Sequence, residues 1–129
     1  VESLPLADAA AQLVLCVNVL PHVVDLGSAV AELARVLAPG GVLVTGLIHP
    51  VAEAGIFDED SDELRVRNYF AAEEHAVPLG EGHVFHQHRT IEDYLTTFLA
   101  AGFALAALRE VPGPSGSVPL YLDLLLTRR

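Results

Sequence analysis

Two short apolar runs separated by a segment of helical period constrain this chain more than any other feature. Leu13 to Val19 (LVLCVNV) and Val42 to Ile48 (VLVTGLI) contain no charged residue and are rich in branched side chains. Such runs suit strands covered on both faces, as in a parallel α/β sheet. Between them Leu26, Val30, Leu33, Ala34 and Leu37 fall at helical spacing, with Asp25 or Ser28 placed to cap the start. Pro39-Gly40-Gly41 is expected to stop that helix. Strand, helix and strand then form one unit with a right-handed crossover.

The stretch from Ala52 to Val84 breaks this pattern with an acidic run, several glycines and weak periodicity, and reads as an insertion or cap. Order resumes at Thr90, which with Asp93 resembles a capping box. Ile91, Tyr94, Leu95, Phe98 and Leu99 then share one helical face, and Gly102 supplies the stop. Phe103 to Val111 and Leu120 to Thr127 read as strands joined by the turn-rich PGPSGSVP, an antiparallel pair at a sheet edge. With 129 residues, 52% of them hydrophobic, the chain is large enough for one core and too short for two. Residues 1–129 are therefore expected to be a single unit, with 52–84 as its cap.

The formal net charge of −10 leaves no basic surplus to neutralise phosphates. Arg65/Arg67 and Arg128-Arg129 are the only cationic pairs, and neither resembles a stripe that follows a nucleic-acid backbone. Nucleic acid and anionic membrane surfaces are not expected partners. No apolar run reaches the roughly 18 to 20 residues of a membrane span, and the start lacks a signal peptide's pattern. The lone Cys16 has no internal disulfide partner, so a reducing cytoplasm is expected. The chain has no methionine and begins with Val1, which reads as a processed, truncated or excised product.

A more specific signal lies in the order of many weak motifs. Leu4-Pro5-Leu6, Asp8, the first apolar run, Leu20-Pro21-His22, Arg35-Val36-Leu37 and Pro39-Gly40-Gly41 follow one another at fixed spacing. Ile48-His49-Pro50, Tyr69-Phe70, His88-Arg89-Thr90-Ile91-Glu92-Asp93-Tyr94 and Ala100-Ala101-Gly102-Phe103 continue the series. The chain resembles, over nearly its whole length, the carboxy-terminal half of class I S-adenosylmethionine-dependent methyltransferases, in a type 11-like branch acting on small molecules. Gln12 stands where that family usually has Asp, and Pro21 replaces the first histidine of a His-His pair. No G-x-G-x-G loop occurs in the sequence.

The resemblance implies an α/β, partial Rossmann-like methyltransferase fold with strands in the order 4-5-7-6, strand 7 antiparallel, lacking the amino-terminal glycine-loop half. It implies S-adenosylmethionine as cofactor of the parent protein, which transfers a methyl group to a small-molecule acceptor. The isolated chain is expected to be inactive. The backbone of Val1, Glu2 and Ser3 with the side chain of Leu4 would border adenine; Cys16, Val17, Asn18 and Leu20 would face the methionine moiety. His22, Tyr69, Phe70 and Arg89 fall on the substrate side, and His49 and His88 are candidates for the acceptor or general-base role.

Methyl transfer from a sulfonium asks little covalent work of a protein: the nucleophile must be held in line and correctly protonated. Histidine suits the second task because it titrates near neutrality. Within GHVFHQHR, His86 and His88 share one face of a strand while His83 points to the other, so a three-ligand metal site is not expected. A metal-dependent hydrolase using that cluster has no other support. The run Asp58-Glu59-Asp60-Ser61-Asp62-Glu63 lacks the glycine and the terminal glutamate of a calcium loop and reads as a solvated loop. Gly113-Pro114-Ser115-Gly116 differs in spacing and context from a nucleophile elbow.

Without strand one of the complete fold, strand four would stand exposed. About five Val or Leu side chains left in water cost roughly 7 to 15 kcal/mol, comparable with the about 5 to 15 kcal/mol stability of a whole domain. The chain is therefore expected to form a homo-oligomer, such as a dimer, or to associate with the missing amino-terminal half. The competing reading is a non-catalytic module that folds by self-association and binds no cofactor.

Overall fold

The computed structural model describes residues 1, 3–58, 60–61 and 63–129. Glu2, expected at the adenine edge, and Glu59 and Asp62 of the acidic run lie outside the described residues.

The strand β1 (Ala11–Val17) leads through a 3-10 turn (Leu20–His22) into helix α1 (Leu26–Val36) and strand β2 (Leu37–Ile48). A short helix α2 (Pro50–Glu53) then opens the middle segment, which forms two hairpins: β3 (Gly55–Asp58) with β4 (Glu63–Val66), and β5 (Glu74–Leu79) with β6 (Gly82–Gln87). Helix α3 (Ile91–Ala100) and the strands β7 (Phe103–Pro112) and β8 (Pro119–Arg128) follow. The main sheet runs β1-β2-β8-β7. β1 is parallel to β2, whereas β8 is antiparallel to both β2 and β7. The expected α/β class thus takes the form of a mixed sheet.

Local chemistry accounts for the helix boundaries. Asp25 caps α1 by accepting the Ser28 amide at 2.9 Å. At the start of α3 the Thr90 hydroxyl accepts the Asp93 amide at 3.1 Å while the Asp93 carboxylate accepts the Thr90 amide at 2.8 Å. That reciprocal pair satisfies two amides the first helical turn leaves without partners.

Two boundaries differ from the sequence reading. Helix α1 ends at Val36, not at Pro39-Gly40-Gly41, because Leu37 turns extended and pairs with Ala11 of β1. The Pro-Gly-Gly segment instead lies inside β2, where Gly40 has a φ of 76°. Gly41 is packed so closely that a Cβ would stand 2.8 Å from the Ala38 carbonyl oxygen. β1 also ends at Val17 instead of Val19, since Asn18 takes a φ of 52° that no strand continues.

The core lies on one face of the sheet. Ala29, Val30 and Leu33 of α1 with Tyr94 and Phe98 of α3 pack against Cys16, Leu43, Leu47, Leu122, Leu124 and Leu126. The Phe98 and Phe103 rings meet edge to face at 5.8 Å. The opposite face is open, which corrects the expectation of strands covered on both sides. Register places Leu15, Val44, Leu125 and Ala107 in one row across all four strands. Leu13, Leu15 and Val17 on β1 are 57%, 68% and 58% exposed. Alternation along a strand explains the pattern: Val14 and Cys16 turn toward the helices, and their neighbours cannot.

Ahead of β1 the chain is tied to α1. Glu32 accepts the Leu4 amide at 2.7 Å and Arg35 reaches Asp8 at 2.6 Å, while Arg35 and Glu32 pair at 2.7 Å. Arg35 and the Leu4 amide hold the Glu32 carboxyl down to about 2. Among the described residues no helix is long and apolar enough to cross a membrane.

Candidate functional site

The carboxyl ends of β1 and β2 meet the β5–β6 hairpin, and a cavity forms where they converge. After Asn18, whose amide donates to the Gly46 carbonyl at 2.7 Å, the 3-10 turn carries His22 toward β6. His22 Nδ1 donates to the Phe85 carbonyl at 3.1 Å, tying the hairpin to the strand ends. Asn18, Pro21, His22, Ile48, Val84 and His86 border a space of about 290 Å³. Larger cavities of about 500 and 540 Å³ lie elsewhere. The smaller one is the stronger candidate because it joins strand carboxyl ends to two imidazoles, as ligand sites of open α/β sheets do.

Behind it sits a buried carboxylate. Glu53, at the end of α2, has a side chain only 7% exposed. Its Oε1 accepts from His86 Nδ1 at 3.0 Å and its Oε2 from His88 Nδ1 at 3.1 Å. His88 Nε2 lies 2.8 Å from the Tyr69 carbonyl oxygen. Both ring nitrogens of His88 thus face oxygen acceptors within the protein. His86 differs: among the described residues nothing hydrogen-bonds its Nε2, and its ring packs edge to face on His22 at 4.5 Å. Tyr94 also lies near this group. Among the described residues its buried hydroxyl has no hydrogen bond of good geometry, and burial, then the Glu53 charge, push it up to about 12 against the opposing pull of Arg89.

The residues singled out in the sequence fall into distinct places. Asn18 and His22 border the cavity. Cys16 and Leu20 are in the core, 3% and 1% exposed, and burial pushes the Cys16 thiol up. Val17 lies on the open sheet face, Leu4 is held on α1, and Val1 and Ser3 are exposed. His49 caps α2: its Nδ1 accepts the Val51 amide at 3.2 Å and its Nε2 donates to Glu110 at 3.1 Å. His88 has both nitrogens engaged by Glu53 and Tyr69. Arg89 donates to the carbonyls of Leu20, at 3.2 Å, and Val24, at 2.9 Å, and so fixes the loop after the 3-10 turn. The Tyr69 hydroxyl accepts the Ile91 amide at 3.2 Å, and Phe70 is 87% exposed.

Glu53 has no place in the sequence reading. The shared face of His86 and His88 is its only trace there, because the carboxylate comes from 33 and 35 residues away. His83, on the other face, is exposed. Among the described residues no three His, Cys, Asp or Glu side chains are grouped to hold a metal ion.

A helix-backed mixed sheet with its cavity at the strand carboxyl ends defines a class of α/β protein, and the comparisons specify it further. Residues 1–45 match the family model described as a methyltransferase domain. An S-adenosylmethionine-dependent methyltransferase from Mesorhizobium loti superposes with a TM-score of 0.83 at 21% identity, covering 98% of this chain and 66% of that one. A Listeria monocytogenes protein described as a methyltransferase of the same dependence gives 0.85 at 20%, covering 99% and 66%. An N1-methyltransferase from Burkholderia thailandensis, holding 1,6-didemethyltoxoflavin and S-adenosylhomocysteine, gives 0.63 at 16%, covering 98% and 47%. No curated protein matches by sequence. The fold is that of class I S-adenosylmethionine-dependent methyltransferases, and the chain spans about two thirds of the length of the first two.

Proposed function

We propose that this chain belongs to an enzyme that moves a methyl group from S-adenosylmethionine to a small-molecule acceptor, and that it supplies the acceptor side and one edge of the donor site. The observation that carries this reading is the cavity at the carboxyl ends of β1 and β2, beside the segment whose sequence matches the methyltransferase-domain family. In this reading the order β1-β2-β8-β7 corresponds to strands four, five, seven and six of the complete fold.

The residues present fit one edge of the donor. The left-handed backbone of Asn18 turns the chain away and leaves the end of β1 open, and Glu32 fixes the Leu4 segment on the same helix that backs it. When bound, the donor supplies an electrophilic methyl group. Val1, Glu2, Ser3 and Leu4 are assigned to its adenine side and Cys16, Val17, Asn18 and Leu20 to its methionine side. Cys16 and Leu20 act there by packing from the core. His22 lines the acceptor space; Tyr69 and Phe70 in the cap at 52–84, and Arg89 at its junction with α3, stay on the substrate side in this reading without bordering that space. His49 and His88 remain proton-handling candidates only where a ligand displaces one of their present partners. The single buried cysteine suits a reducing cytoplasm.

One observation favours a second reading. The open face bearing Leu13, Leu15 and Val17 is what a self-associating, non-catalytic module would present. Calorimetric titration of S-adenosylhomocysteine into the purified chain, with its solution mass measured alongside, separates the two. Saturable binding supports the enzyme reading; a folded oligomer that takes up none supports the module.

A further inference from the structure

We infer that His86 is the base that takes the acceptor's proton, with Glu53 as the positioning residue that fixes its tautomer. The inference rests on the methyl-transfer reading and adds to it the chemical class of acceptor, one that surrenders an O–H or N–H proton.

Four observations converge on His86. Its Nδ1 lies 3.0 Å from Glu53 Oε1, and a carboxylate cannot donate, so the ring proton sits on Nδ1. A neutral imidazole with Nδ1 protonated keeps its lone pair on Nε2, the nitrogen with no partner among the described residues. The ring is nearly buried, 6% exposed, yet borders the cavity at the strand ends. His49 and His88, by contrast, have both nitrogens engaged within the protein. A histidine that borders a cavity, with one nitrogen held by a buried carboxylate and the other without a partner among the described residues, has the arrangement of a general base and its orienting group.

The step balances without a further reagent. His86 Nε2 takes the proton from the acceptor's O–H or N–H and becomes an imidazolium facing Glu53. The acceptor's lone pair forms the new bond to the methyl carbon of a sulfonium donor, and the carbon–sulfur pair stays on sulfur. His86 then releases its proton to water. The charged and titratable groups around it include Glu53 from α2, His75 opposite it on β5, His88 and Arg89 beyond β6, His22 from the 3-10 turn, and Tyr94 from α3. A carbon acceptor or an already aprotic amine has no proton to give and gains nothing from this pair.

Nitrogen-15 NMR of the histidine rings in the full chain tests the inference without turnover. Wild type is expected to show His86 protonated on Nδ1 alone at neutral pH, and Glu53→Gln to lose that preference while the amide spectrum stays folded. Titration with phenol, a small probe bearing an O–H, is expected to move the His86 Nε2 resonance and leave His49 in place. His86 protonated on Nε2 in wild type, or a phenol titration that leaves His86 unmoved, overturns the inference. If the histidine results hold but S-adenosylhomocysteine does not bind, the methyl-transfer reading fails and the base pair stands. Cofactor binding with the opposite histidine results fails the pair and leaves the reading intact.

Discussion

At the residue scale, Glu53 and Tyr94 make opposite demands on the buried polar space they share. Glu53→Ala leaves two nearly buried imidazoles without their acceptor, a loss of about 3 kcal/mol by comparison with other broken buried ion pairs. Chemical denaturation of the variant measures it. Tyr94→Phe removes a buried hydroxyl that has no hydrogen bond of good geometry among the described residues and only the Arg89 guanidinium near it, so it should change stability at neutral pH by no more than about 1 kcal/mol. The same hydroxyl creates an alkaline limit. Its pKa is raised from 10.0 to about 12 on folding, so its contribution is complete below pH 10 and lost as pH climbs through 12. Tyr94→Phe should flatten the stability curve in that window, by about 3 kcal/mol at its end. Sequence alone exposes Tyr94 as a core position, through its helical spacing, but not what surrounds its hydroxyl. It shows His86 and His88 on one face, but not the carboxylate they share, since nothing local ties residue 53 to residues 86 and 88.

At the scale of elements, the legible parts are those governed by neighbours in the chain. Thr90 and Asp93 sit three residues apart, and their mutual hydrogen bonds form the box their spacing implies. Thr90→Ala should cost about 1 kcal/mol, seen as a drop of about 4 °C in Tm. The strands at both ends of the chain are readable for the same reason, as alternating or continuous apolar runs bounded by turn residues. The hairpins β3–β4 and β5–β6 were hidden in a segment that reads only as irregular. Their pairing depends on cross-strand partners such as Ala76 and Phe85, and a mixed acidic composition masks that register. Pro39-Gly40-Gly41 misled for a related reason. Turn residues usually end helices, but here Leu37 was already committed to a strand by pairing with Ala11.

At the scale of the whole molecule, the sheet has helices on one side and an apolar row of Leu15, Val44, Leu125 and Ala107 on the other. Leu15→Lys places a charge in that row at a residue 68% exposed, so it should change monomer stability by no more than about 0.5 kcal/mol. If the face joins copies of the chain, sedimentation will show the variant shifted toward the monomer relative to wild type. An unchanged mass distribution would locate any association elsewhere. The position of β8 carries a different consequence. It follows the other described strands in sequence, yet it lies between β2 and β7 and supplies Leu122, Leu124 and Leu126 to the core. While a ribosome is still synthesising residues 119–128, β7 has no strand to pair with and the core lacks Leu122, Leu124 and Leu126. Completion of this sheet therefore waits for residues 119–128, and until they emerge the apolar segments they cover are open to other contacts.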